Sequence, residues 1–151
     1  MRRRDREITD REEMEAILQA AQVCRLAVAD GEEPYVVPLC FGYESGSFYF
    51  HSAFEGRKID ILKKNPRVCI EADSTAGLIR DADPCAWGVR YASVICTGRA
   101  RFVVDAREKK DGLNCILRHY GEGPHPFDDG ALANVRVIRV DAEQMTGKKH
   151  G

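Results

Sequence analysis

Residues 48–66, FYFHSAFEGRKIDILKKNP, change character halfway along. Phe48, Tyr49 and Phe50 open a strand, and Asn65-Pro66 stops a helix whose pattern spans Arg57–Asn65. Between them the chain gathers His51, Ser52, Ala53, Gly56, Arg57 and Lys58 at a strand-to-helix corner. A helix that starts near Gly56 or Arg57 leaves its first N–H groups unpaired beside the positive end of the helix dipole. The Ser52 hydroxyl, a forked guanidinium and an ammonium add donors and charge. That combination suits an anion, and a phosphate monoester is its natural occupant. The same two cations read equally well as decoration on the solvent face of a short helix, so spacing leaves both readings open. His51 alternates with Phe50 along the strand. It either faces a pocket, where its near-neutral pKa suits proton transfer, or is satisfied by a neighbour. His119, His125 and His150 show no ligand spacing and receive no role.

Outward from this corner the chain reads as helix, strands, helix, strands. Thr9-Asp10-Arg11-Glu12 has a capping-box pattern, with Met14, Ile17, Leu18 and Ala21 following at helical spacing. Cys24–Ala29, Tyr35–Phe41 and Phe48–Ser52 read as a three-strand meander with hairpin-length connections. Arg67–Ala72 is a further strand, 73–88 looks irregular, and Tyr91–Val104 is a long β-rich run bent or bulged at Gly98. Asp105 can cap a helix reaching to about His119, with Leu113, Ile116 and Leu117 inward. Gly121–Gly130 is a loop and Val135–Val140 a last strand. The whole, 1–151, reads as one domain, with 1–7 and 146–151 as terminal tails. Mainly β structure with a few helices and about six antiparallel strands argues for a barrel, because closure removes exposed edges.

Composition narrows the function classes. The 44% apolar and 31% charged residues are ordinary for a globular chain, and the net charge of −1 provides no field to attract nucleic acid or an anionic membrane. Arg2-Arg3-Arg4 is diluted at once by Asp5 and Glu7, and no apolar run follows it as a signal peptide requires. No stretch has the ~18 consecutive apolar residues of a membrane span. The six cysteines contain no CxxC spacing. Cys24, Cys40, Cys69 and Cys96 sit in apolar runs, where a thiol packs as a small hydrophobe. Reduced thiols and a cytoplasmic location are expected, with no zinc and no other metal.

Three segments in order, PYVVPL (34–39), FYFHSAFEGRKIDILKKNPRVC (48–69) and YASVICTGRA (91–100), resemble the pyridoxamine 5′-phosphate oxidase-like, FMN-binding split-barrel family. Within it the chain is most similar to the nitroimidazole-resistance branch, and REITDREE near the start and QMTGKK near the end extend the resemblance over nearly the whole chain. The resemblance implies a six-stranded split barrel in a homodimer, with FMN held in clefts between subunits. Val36, Val37, Pro38 and Leu39 would run along the isoalloxazine edge. Arg57 and Lys58, helped by Ser52, would hold the phosphate, with Ala53 and Gly56 shaping that corner. Tyr91 and Ser93 of the second subunit would close the site. Trp87, the single tryptophan, would form a wall of the site or serve as a plain interface or core aromatic. His51 falls where the branch carries a histidine near the flavin, and is the one side chain placed as catalytic. The VVPL strand carries no basic residue, and the C-terminal segment with arginine and tryptophan is missing; both argue against pyridoxamine phosphate oxidation. The expected function is FMN-dependent oxidoreduction of a small molecule, nitro-aromatic compounds among them. A non-enzymatic flavin- or haem-binding protein is the alternative, since fold alone does not decide.

Overall fold

Residues 3–151 are described by a computed structural model; Met1 and Arg2, the start of the expected N-terminal tail, lie outside the described residues. The chain forms β1 (Glu7–Ile8), β2 (Cys24–Asp30), β3 (Glu33–Leu39), β4 (Gly42–Glu44), β5 (Ser47–Ser52), β6 (Arg67–Ile79), β7 (Gly88–Val103) and β8 (Arg136–His150). Four α-helices among the described residues join them: α1 (Arg11–Ala20), α2 (Arg57–Lys64), α3 (Ala106–His119) and α4 (Asp129–Ala133). The expected mainly β antiparallel architecture is present, with eight strands among the described residues in place of six. Their order is β3-β2-β6-β7-β8-β5-β4, with β1 added to β8. Only Cys40 and Phe41 separate the last residue of β3 from the first of β4. The two edges of the sheet are therefore tethered within about 11 Å. The sheet curls on itself as a split barrel.

Alternation decides what lies inside. Leu26, Phe48, Phe50, Ile70, Val94, Ile138 and Val140 fill the barrel, together with Met14 and Leu18 of α1 and Ile59, Ile61 and Leu62 of α2. On the outer face Tyr49, Val103 and Val137 meet Leu113, Cys115 and Ile116 of α3 and Leu132 of α4. Asp105 caps α3 by accepting from the Glu108 N–H at 2.8 Å, as its position in the sequence implies. Asp10, not Thr9, caps α1, accepting from the Glu12 N–H at 3.0 Å. The helix thus starts one residue later than the capping box suggests.

Four further expectations are corrected. The meander does not form: β3 pairs with β2, but β5 pairs with β4 and β8, at the far end of the sheet order. Residues 73–79 are strand, because Asp73, Ser74, Thr75, Leu78 and Ile79 pair with Ser93, Ala92, Tyr91, Val89 and Gly88. The expected C-terminal tail is the end of β8, which β7 flanks on one side and β1 on the other. A Cβ on Gly147 would stand 2.8 Å from both Ile8 and Met14, so the backbone of this polar segment itself serves as packing surface. Finally, Cys40 is exposed where a buried thiol was expected, because it lies in the turn between β3 and β4. Burial pushes the Cys24 and Cys96 thiols up to about 12, as inert core groups. The bulge expected at Gly98 is present as a register shift between Thr97 and Gly98.

Candidate functional site at the corner between β5 and α2

The strand β5 delivers its last residues to the end of the barrel that α2 closes. Phe50 and Ser52 point inward and His51 outward, as strand alternation requires. Ser52 is 8% exposed, and its Oγ has no hydrogen-bond partner among the described residues. His51 is exposed and pairs across the sheet with Val137, on the face that also carries Tyr49. Ala53 and Gly56 are exposed. Gly56 is the N-cap of α2 with φ +131°, a backbone conformation that a side chain would strain, and a Cβ built there would meet nothing within 4 Å. No side chain caps α2, so the amides of Arg57 and Lys58 point out of the helix start without an intrahelical acceptor.

Arg57 reaches back to β3. Its Nη2 donates to Glu33 Oε1 at 3.0 Å, and its guanidinium lies 4.5 Å from the centre of the Tyr35 ring. Lys58 is half-buried and forms no ion pair among the described residues. Arg57 and Lys58 open α2 and Ser52 ends β5 just before it, with a carboxylate already on one of the cations. This is a donor-rich, positively charged corner, and its natural guest is an oxyanion.

A residue that the sequence reading missed completes the corner. Arg136, the first residue of β8, is the direct cross-strand partner of Ser52. Its guanidinium lies 4.4 Å from the Phe102 ring centre and 5.0 Å from that of Phe54. Its Nε is buried without a hydrogen-bond partner among the described residues. Position 136 in the sequence offers no hint of this, since only the pairing of β5 with β8 brings it beside Ser52.

Several of the remaining expected residues lie on the outer face of the barrel. Val36 and Pro38 are exposed there, while Val37 and Leu39 turn inward against the core. Pro34 and Pro38 are tolerated because β3 is an edge strand, which needs no N–H at every position. Between β3 and β7 lies a depression of about 290 Å³ floored by the small side chains of Ala27, Ala29 and Cys69, with Arg67 and Thr97 at its rim. Ser93 and Tyr91 are farther along β7, and β7 is three strand spacings, about 14 Å, from β3. One chain therefore does not bring Ser93 against Val36–Leu39. Trp87 is 52% exposed, donating from Nε1 to the Asp81 carbonyl at 2.8 Å on the ribbon where β6 and β7 project.

Tyr91 has company that its sequence neighbours do not reveal. His150 is its cross-strand partner, and Lys148 Nζ lies 5.8 Å from its ring centre. Burial alone would raise the phenol, but Lys148 and Arg6 outweigh it and hold the group below its ordinary value. Arg6 Nη2 donates to His150 Nε2 at 3.2 Å, and burial together with Arg6 and Arg3 keeps that imidazole below its usual pKa. No helix is long and apolar enough to cross a membrane, and no cluster of metal-ligating side chains occurs, among the described residues.

A profile of the pyridoxamine 5′-phosphate oxidase family matches residues 10–149. A crystal structure from Bacteroides thetaiotaomicron, of a protein assigned provisionally to 5-nitroimidazole antibiotic resistance, is 38% identical. It superimposes with a TM-score of 0.83 over 94% of this chain and 85% of its own. An FAD-binding protein from Mesorhizobium loti is 27% identical, with a TM-score of 0.72 over 97% of this chain and 98% of its own. A curated protein of Rhizobium meliloti with no assigned role is 28% identical over 92 residues, 61% of this chain. That match spans 54% of the length of the Rhizobium protein.

Proposed function

The chain belongs to the pyridoxamine 5′-phosphate oxidase family, and from that premise we propose that it binds FMN and uses it, as a homodimer, in oxidoreduction of a small molecule. Nitro-aromatic compounds are the leading substrate class, supported by the likeness to the Bacteroides protein. The observation that carries the reading is Ser52, a buried hydroxyl with no partner beside a helix start that no side chain caps. A buried polar group left unpaired costs roughly 1–3 kcal/mol. A phosphate oxygen accepts from that hydroxyl and from the free amides at once, and Gly56 puts no Cβ in its way.

FMN, when bound, supplies the redox chemistry. The residues of the chain supply position. Ser52, Lys58 and the start of α2 hold the phosphate, and Arg57 exchanges the exposed Glu33 carboxylate for it, at little cost because that pair is solvated. The small floor of Ala27, Ala29 and Cys69 gives a flat ring room to lie on the outer face, with the backbone of Val36–Leu39 along one edge. Tyr91, Ser93 and Trp87 of a second copy cover it and keep water from the reacting face, since the first copy holds its own Ser93 about 14 Å from β3.

The test is colour and its dependence on phosphate. Purified protein given FMN should show a two-band flavin spectrum; a sharp Soret band, or a colourless protein that ignores FMN, would remove the reading. Joint replacement of Arg57 and Lys58 by alanine should weaken FMN by ~10–100-fold and riboflavin little, because only FMN has the phosphate that charge-assisted bonds would hold. Equal losses for both flavins would show that the pair acts through folding.

A further inference from the structure

The corner holds one more cation than the proposed phosphate site uses. Arg136 stands directly across from Ser52 in the antiparallel pairing of β5 and β8. Side chains so placed have Cβ atoms roughly 4.5–5.5 Å apart and share a face of the sheet. That face is the inner one, where Ser52 is 8% exposed and Phe102 packs against the core. Each of the two side chains has a buried polar atom with no partner, Ser52 Oγ and Arg136 Nε. No carboxylate forms an ion pair with Arg136 among the described residues, although twelve ion pairs occupy other basic side chains. Its guanidinium lies over the rings of both Phe54 and Phe102. Aromatic faces steady a guanidinium but accept none of its five N–H bonds.

A guanidinium held in place and left without acceptors, beside a hydroxyl in the same condition, is prepared for a polyvalent oxyanion. We propose that Arg136 and Ser52 form a two-pronged clamp for the terminal phosphate of the ligand, on the barrel side of the group that Arg57 and Lys58 approach from α2. The proposal rests on the FMN reading given above and deepens it. It assigns the phosphate a fork that can bind two oxygens, and it makes Phe54 and Phe102 the supports that orient the fork. Arginine is required in this role, because its planar fork takes two phosphate oxygens where a lysine takes one as a point charge.

The experiment titrates full-length protein with FMN and with riboflavin, following flavin fluorescence, in wild type, R136Q, R136K and S52A. The expected result is a ~10–100-fold weaker FMN complex in R136Q, partial recovery in R136K, unchanged riboflavin affinity and an unchanged melting temperature without ligand. Equal loss of FMN and riboflavin would reduce Arg136 to a packing residue between Phe54 and Phe102, and unchanged FMN affinity would overturn the clamp outright. Wild type that fails to prefer FMN over riboflavin would overturn the FMN reading instead. The clamp is then judged with inorganic phosphate alone. Phosphate that raises the wild-type melting temperature but not that of R136Q upholds it; equal or absent protection removes it. If R136Q does not fold, S52A and R136K decide by the same criteria.

Discussion

His51 and Ser52 are neighbours in the chain and opposites in the fold. Ser52 is turned into the barrel beside Arg136, while His51 stands exposed on the face of Tyr49 and Val137. A role for His51 as proton donor therefore requires a substrate that arrives from solvent on that outer face. His51→Gln should leave FMN affinity unchanged, since Ser52 and the α2 start are untouched. If His51 serves as the acid, substrate turnover should fall by ~10²–10⁴-fold. Steady-state turnover across pH decides the matter, and a Gln variant as fast as wild type at every pH would leave His51 a surface residue. The residue scale also shows what local reading misses. Cys24 and Cys96 sit in apolar runs and are buried, but Cys40, in an equally apolar run, is exposed because the chain turns there.

The element that ties the outer layer together is α3. Glu108 in its first turn accepts from Arg101 Nη1 at 3.0 Å and from Arg139 Nη1 at 3.0 Å, linking the helix to β7 and β8. Arg101 first, with Arg139 adding to it against the effect of burial, holds the Glu108 carboxyl below its ordinary value of 4.5. A depressed acid contributes stability that is fully present above its unfolded pKa and is lost as pH falls through the folded one. The contribution should therefore be complete at neutral pH and decline as the pH drops below 4.5. Glu108→Gln should lower the melting temperature at pH 7 by about 2–4 °C, given ordinary surface ion-pair energies. It should also flatten the acid limb of the melting curve, because the group that titrates there is gone. Calorimetry from pH 7 down to pH 3 tests both; an acid limb as steep as that of wild type would show that the ion pairs contribute nothing.

At the scale of the whole molecule, one chain leaves a large apolar surface open. Val36 is 59% exposed, Leu78 55%, Trp87 52% and Ile95 45%, all on β3 or on the β6–β7 ribbon. Val36, Pro38 and the small-residue depression share the outer face with Ser93 and Ile95. A second copy laid on this face would bury the apolar side chains and bring its Tyr91 and Ser93 to the β3 edge of the first. Sedimentation equilibrium at micromolar concentration should return twice the chain mass. The double substitution Leu78→Lys with Ile95→Lys should give a folded monomer that no longer retains FMN. A monomer that binds FMN as tightly as wild type would exclude the two-subunit cleft.

Sequence alone determined what neighbouring residues settle among themselves. The β5 strand, the α2 start at Gly56 and Arg57, the Asp105 cap of α3 and the bulge at Gly98 all follow from capping, alternation and backbone conformation within a few residues. The corner with Ser52, Arg57 and Lys58 was legible for the same reason. Tertiary structure decided the rest, because strand pairing is an interaction between distant segments. Residues 73–79 and 146–150 carry no apolar alternation of their own, and they extend because β7 offers both of them a ladder of hydrogen bonds. The β5 strand finds β8 rather than β3, and that choice places Arg136 beside Ser52, 84 positions away in the chain. Nothing local to either residue encodes that meeting; it is set by the register of two strands that are neighbours only once the barrel has closed.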